Sequence, residues 1–259
     1  MADVALGRAV YANLCQMWRE VGRAAGGRGA FDVQSRPDML LIRSTYAQRV
    51  PHMVLDPHVP DARAAAWTAQ LVGELGTGPT SLMIGIPPGR EDGVLVTALR
   101  AEGFQAESRP KIAMTASLAD AVPGGRDAMV TEARTARDLA EARELLGTIF
   151  GLPIEVFAFY TPPDLVSTYV LRWKGKPLAA VCLCPFAGCA GIYSVGVLPH
   201  ARGHGYARQV VAYALAEAAG RGLKTAVLSC ERQLAPLYRL LGFETCWELR
   251  NYWLEAWWR

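Results

Sequence analysis

The stretch from Val195 to Leu215, "VGVLPHARGHGYARQVVAYAL", is where residue types and spacing first point to chemistry. An apolar run ends at Pro199, Arg202-Gly203-His204-Gly205 follows, and a helical pattern begins at once. A helix start leaves its first backbone N–H groups without partners, and the helix dipole adds a positive field there. Such a place stabilises anions, phosphates above all. Glycines let the backbone come close because they carry no Cβ. Ala207, Val210, Val211, Ala214, Leu215 and Ala218 share one helical face, which predicts firm packing beneath the loop. The reading is a diphosphate cradle of main-chain donors at 203–208, with Arg202 and Arg208 adding charge. The alternative is a plain surface turn ahead of an ordinary helix.

Known phosphate loops narrow the choice. No Gly-Lys-Ser/Thr follows, so the P-loop pattern is absent. The dinucleotide fingerprint needs a third Gly or Ala where Arg208 stands, and no strand acid follows at the right distance. An Arg/Gln-x-x-Gly-x-Gly/Ala pattern is met by Arg202, Gly205 and Ala207, after Val197 and Pro199. Downstream comes "LAPLYRLLGF", residues 234–243. In that order these pieces resemble the GNAT acyltransferase superfamily over about residues 128–259.

The resemblance implies an acyl-CoA-dependent N-acyltransferase, most simply an acetyltransferase, with acetyl-CoA or another acyl-CoA as co-substrate and no metal. It implies that the strand ending at Val197 splays from "KTAVLSC" and that Val195 and Val197 pair with the pantetheine arm. The coenzyme A diphosphate would lie on the loop Arg202, Gly203, His204, Gly205, Tyr206, Ala207 and Arg208. Tyr238 matches the acid that protonates the departing thiolate. A phenol with a pKa of about 10 suits that task.

Two departures stand out. Many relatives carry a Glu on the strand before the loop, whereas this strand has Tyr193 and Ser194. Many have an Asn before the late helix, where "SCERQL" has Glu231. The base is therefore open: Glu155, Tyr160, a water relay or an already neutral amine. Glu155, Tyr160 and Tyr193 are the candidate acceptor-side residues. Phe157, Phe159, Tyr160, Trp253, Trp257 and Trp258 fit either an aromatic acceptor or core packing. The expected acceptor is a small-molecule amine. The rivals are a protein lysine or N-terminus, and an acyl-CoA-binding protein without catalysis.

Other chemistry-bearing residues carry less. His200 and His204 flank the loop and read as facing phosphate or solvent, while His52 and His58 in "VPHMVLDPH" read as surface loop histidines. The six cysteines, 15, 182, 184, 189, 230 and 246, show no ligand spacing and read as reduced, buried thiols of a cytoplasmic protein. Cys182 and Cys184 alternate, so a strand would point both to one face. Cys230 lacks an identifiable base and reads as packing.

The elements that position these residues follow from pattern. The 259 residues, half of them hydrophobic, can hold one large domain or two of about 130. A net charge of +3, spread along the chain, gives no nucleic-acid footprint. No apolar run approaches a membrane span, and the N-terminus lacks a secretory pattern. Val10, Leu14, Met17 and Val21 recur at helical spacing. "ADAVPGGRD", residues 119–127, divides the chain. After it come a strand at "AMVTEA", a helix capped by Thr135, a hairpin turning at Lys174-Gly175-Lys176, the loop-bearing strand and helix, and aromatic closing strands.

The first half reads as a poorer version of the same order. "LRAEGF" at 99–104 echoes "LYRLLGF" at 237–243, which suggests a diverged internal duplication. "GIPPGRED" at 85–92 is no phosphate loop, because its two prolines lack donors. The expected fold is a mixed α/β (α+β) sheet protein: a degenerate GNAT-like domain at 1–120, then a catalytic GNAT domain at 128–259. The chain would act as a monomer or homodimer.

Overall fold

The computed structural model describes residues 3–26, 29–46, 50–75, 81–91, 93–119 and 129–255. Most of the divider at 119–127, and Trp257 and Trp258, lie outside the described residues.

Helix α1 (Val4–Ala25) opens with Asp3, whose carboxylate accepts from the amides of Ala5 and Leu6. That side chain satisfies donors the helix start cannot pair internally. Val10, Met17 and Val21 are buried, as the helical stripe predicts. The partners of that stripe come from two sheets. One sheet runs β1 (Phe31–Ser35), β2 (Leu40–Ser44), β3 (His52–Leu55), β4 (Leu82–Ile86), β13 (Arg250–Leu254), β5 (Gln105–Ala106). The other runs β12 (Glu244–Glu248), β6 (Ile112–Ser117), β11 (Thr225–Cys230), β10 (Cys189–Val197), β9 (Lys176–Phe186), β8 (Ser167–Trp173), β7 (Val130–Glu132). Only β3–β4 and β10–β11 are parallel pairs among these described strands.

The last strand of each half lies in the other half's sheet. β6 pairs with β11 and β12, and β13 pairs with β4 and β5. The closing aromatic segment is thus two strands serving two different sheets. A ladder buried on both sides cannot be opened without stranding its N–H and C=O groups. The two halves therefore cannot part without breaking both sheets.

Five strands of each sheet also correspond in order. The order β2-β3-β4-β13-β5 matches β9-β10-β11-β6-β12, each with one parallel pair and one strand from the other half. Helix α2 (Ala64–Leu75) links β3 to β4 as α6 (Tyr206–Gly220) links β10 to β11. Helix α3 (Val94–Ala101) and helix α7 (Ala235–Arg239) end alike. The Phe104 amide donates to Leu99 (3.0 Å) and Gly103 to Arg100 (3.1 Å); Phe243 donates to Tyr238 (3.1 Å) and Gly242 to Arg239 (3.1 Å). This double turn leaves Phe104 and Phe243 buried at equivalent places.

One core lies between the sheets, around α1, α4 (Ala136–Phe150) and α5 (Ile154–Tyr160), and includes Trp18, Phe31, Phe157 and Phe159. Thr135 and Asp138 form the capping box that starts α4. The outer face of the seven-stranded sheet packs on α6 and α7, and that of the six-stranded sheet on α2 and α3. No helix among the described residues is long and apolar enough to cross a membrane.

Candidate active site

The pairing of β10 decides the shape of the site. On one side β10 follows β9 as far as Val197 opposite Ala179, with a register shift between Tyr193 and Gly196. At that shift Ser194 holds φ 50°, a left-handed conformation uncommon for a residue with a side chain. A bulge of this kind bends its strand and increases the local twist. On the other side β10 pairs with β11 only at Ala190–Ala226 and Gly191–Val227. From Gly191 onward the ladder between the two parallel strands ends, leaving a wedge along the edge that holds Val195 and Val197.

The wedge leads to the glycine loop. Pro199–Ala201 make one tight turn, Gly203 and Gly205 take φ 82° and 79°, and α6 begins at Tyr206. A Cβ built on either glycine meets nothing within 4 Å, so the requirement is for the left-handed backbone, with open space above it. The Gln209 amide donates to the Gly205 carbonyl (3.1 Å), so the amides of 206–208 precede the helical ladder. Arg202 folds back, its Nε donating to the Val197 carbonyl (3.3 Å). His204 stacks on Tyr206 with ring centres 5.6 Å apart. Val210, Val211, Ala214, Leu215 and Ala218 are buried, but Ala207 and Arg208 remain at the surface or half-buried. Ala207 thus leaves the expected buried face, because the first turn of α6 rises out of the core toward the loop.

Tyr238 belongs to the same cluster as the side chains of Val195, Val197 and Tyr206. It is 6% exposed, its ring edge-on to Phe243. Burial pushes its phenol well above the usual range, with Cys230 adding to the rise. The group therefore holds its proton at any physiological pH. Cys230 is itself raised to about 11, by burial first and then by Glu231. A thiolate there is disfavoured, as expected for a packing residue.

A cavity of about 270 Å³ opens where β10 bulges. Trp18, Phe157, Tyr160, Cys182, Tyr193 and Ser194 are among its walls. Among the described residues the lining contains no carboxylate, imidazole or cation. The Tyr193 hydroxyl donates to Asn13 Oδ1 (2.7 Å), while Asn13 Nδ2 donates to the carbonyls of Phe186 (2.7 Å) and Cys189 (3.2 Å). Asn13, fully buried, thus ties α1 to the β9–β10 hairpin. Burial raises the phenols of Tyr160 and Tyr193 and holds Cys182 at about 11.

Tyr160 and Tyr193 therefore meet at the cavity, and Glu155 does not. Its carboxylate is exposed on α5, over a separate shallow cleft with Val21, Phe159 and Pro162. Loop positions His200 and His204 are exposed, as is His58. His52 departs from its sequence reading: it begins β3, half-buried, its Nδ1 accepting from the Ser44 amide (3.0 Å). Burial lowers its pKa, with Arg43 adding to the effect. A four-residue strand with no alternation left it unmarked. All six cysteines are buried free thiols, and no group of three metal-ligating side chains occurs among the described residues.

Sequence reasoning missed the α1 contribution to the cavity (Leu14, Met17, Trp18) and the Asn13 clamp. The helical stripe marked the buried face without saying what it would face. The bulge at Ser194 has no sequence signature.

Residues 138–243 match the model of the "Acetyltransferase (GNAT) family". No curated protein matches the chain. Among solved structures, a GCN5-related N-acetyltransferase from Kribbella flavida is similar at 17% identity and TM-score 0.67, covering 95% of each chain. A putative GNAT-family acetyltransferase from Novosphingobium aromaticivorans aligns at 19% identity and TM-score 0.62, over 97% of this chain and 98% of that one. A tandem GNAT protein of the clavulanic acid biosynthesis pathway aligns at 14% identity and TM-score 0.60, over 93% and 94%. These likenesses establish the fold over nearly the whole chain.

Proposed function

We propose that this chain, whose residues 138–243 match the acetyltransferase (GNAT) family model, is an N-acyltransferase that moves an acyl group from acyl-CoA, in the simplest case acetyl-CoA, to the amine of a small molecule. The observation that carries this reading is the β10–β11 wedge ending at a helix mouth of unpaired amides. The pantetheine arm would lie along Val195 and Val197. Its diphosphate would take the amides of 203–208, with Arg202 and Arg208 adding charge. Such a cradle needs open space above glycine, which Gly203 and Gly205 have.

The amine nitrogen attacks the thioester carbonyl, the carbon–sulfur bond breaks, and the thiolate takes the Tyr238 proton. Burial keeps this phenol protonated until the thiolate forms, and although it weakens the phenol as an acid, the same desolvation raises the proton affinity of the thiolate beside it. The amine's own proton leaves through water, since no carboxylate lines the cavity at the bulge. That cavity, Tyr160 and Tyr193 included, receives the acceptor. Its size and apolar lining favour a compact amine with an apolar or aromatic body over a protein lysine.

The domain reading extends to the first half. Matching strand orders and matching Gly-Phe helix endings support two diverged copies, at 1–120 and 128–259, that exchange their final strands. Leu99 occupies the place of Tyr238, so the first copy has no proton donor there. Six buried free thiols fit a reducing, cytoplasmic setting.

The test is thiol release from acetyl-CoA and longer acyl-CoAs across a panel of amines, amino acids and amino sugars. Acceptor-dependent release supports the reading. Thermal stabilisation by acetyl-CoA with no thioester cleavage across the panel contradicts it and leaves a binding protein.

A further inference from the structure

A second cavity, larger than the one at the β10 bulge, lies in the first half. It measures about 580 Å³ and lies at the carboxyl ends of β3 and β4, the parallel pair of the first half. Its walls are the outer face of α1, the turn after β3 and the turn after β4. Ligands in open α/β sheets collect at the carboxyl ends of parallel strands, and the size suits a small molecule. It is also the place that corresponds to the wedge and loop of the second half.

Charge defines what it would hold. Arg8, Arg19 and Arg90 line it with Asp56 and Glu20. Asp56 is engaged by Arg19 Nη2 (2.5 Å), with His58 3.8 Å away. Glu20 pairs with Arg23, outside the cavity. Arg8 and Arg90 have no ion-pair partner among the described residues. Arg8 is oriented toward the second turn, its Nε donating to the Pro88 carbonyl (3.2 Å). Gln16 uses its oxygen on the Ala187 amide (2.8 Å), which leaves its NH2 group as a donor on the cavity wall. Glu91, the nearest further carboxylate in sequence, is held by the Gly89 amide and the Trp247 indole.

The main chain offers little here. Pro57, Pro87 and Pro88 have no N–H, and the Gly89 N–H is already given to Glu91. A diphosphate cradle like that at 203–208 is absent, so an anion must be recognised by side chains. Guanidinium groups bind carboxylates through paired, charge-assisted hydrogen bonds. We infer that this cavity is a second ligand site, specific for a small-molecule carboxylate gripped by Arg8 and Arg90. Helix α1 separates it from the acceptor cavity: Arg8, Tyr11, Cys15 and Arg19 face one, Leu14, Met17 and Trp18 the other. The ligand therefore rests on a helix that also walls the reaction site.

Calorimetric titration of the full chain with citrate tests this. One saturable site is expected, weakened roughly tenfold or more in the Arg8→Ala/Arg90→Ala double variant. Both side chains are exposed, so the variant should fold, which its unliganded Tm checks. Citrate affinity should be unchanged in Arg202→Ala/Arg208→Ala. No saturable citrate binding, binding of inorganic phosphate alone, or loss of citrate binding in the 202/208 variant instead would each overturn the assignment. None of these readouts depends on acyl transfer.

Discussion

Two pairs of parallel strands occupy corresponding places in this molecule and have been finished differently. Within β10 the chain stops pairing with β11 after Gly191 and bulges at Ser194, and beyond the strand it turns through Gly203 and Gly205 into α6. After β3 the chain turns at Asp56 (φ 53°) into Pro57 and reaches its helix through Pro60. The same strand order thus ends once in free amides above open space and once in prolines beside Arg8 and Arg90. The difference shows that the cofactor reading depends on a few residues at strand ends, while the sheet itself is shared.

The sharpest way to break the comparison is Tyr238 against Leu99. Tyr238→Phe keeps the packing and removes the proton, so kcat should fall about a hundredfold, the lower range of acid–base contributions. Leu99→Ala should leave kcat per folded molecule alone and cost about 2–5 kcal/mol of stability. Near-wild-type turnover in Tyr238→Phe would remove the assigned acid. Because burial raises this phenol, the alkaline limb of kcat should show no loss from Tyr238 through pH 10, the usual tyrosine midpoint of about 10.

Next is the link between the halves. Asn13→Leu strands the Phe186 and Cys189 carbonyls and the Tyr193 hydroxyl, and should cost about 2 kcal/mol in urea unfolding. The halves should still unfold in one transition, since each sheet contains a strand of the other. Two separate transitions would show that the strand exchange does not bind them together.

A smaller effect concerns the loop alone. Gly205→Ala introduces a Cβ at φ 79° and should cost about 1–2 kcal/mol locally. The expected readout is a roughly tenfold rise in KM for the acyl donor at little change in kcat. Unchanged donor KM would mean that the helix mouth does not hold the diphosphate.

The smallest concerns the first half's surface. Glu74 is held at about 2, chiefly by the hydrogen bonds from Arg36 (2.7 and 2.9 Å) and further by Arg43. A carboxyl depressed in the folded state contributes its full stability above its unfolded value of about 4.5. That contribution fades as pH falls through about 2. The pair is partly solvated, so the total should be below about 1 kcal/mol and weaken with salt. Glu74→Gln should flatten the acid limb of the stability curve between those values.

The sequence made the second half legible through local chemistry. Glycines before a helical stripe, a Thr-x-x-Asp box and a helix ending in Gly-Phe each have one structural meaning, and the structure contains all three. The strand exchange was not legible, since the apolar residues of 112–117 and 250–254 show burial without naming a neighbour. The wedge was expected only through resemblance, and the bulge beside it sits at a serine with no turn signal. The cavity proposed for the acceptor was half visible: Tyr160 and Tyr193 were singled out, whereas its α1 wall needed the fold. Glu155 shows the opposite case, a suitable residue type on the wrong side of its helix.

The most direct measurement is a crystal structure of the full chain with coenzyme A. The account predicts the diphosphate on the amides of residues 203–208 and the pantetheine between β10 and β11, its sulfur near Tyr238. A diphosphate seated instead at the ends of β3 and β4, or a closed β10–β11 ladder with the cofactor elsewhere, would contradict it.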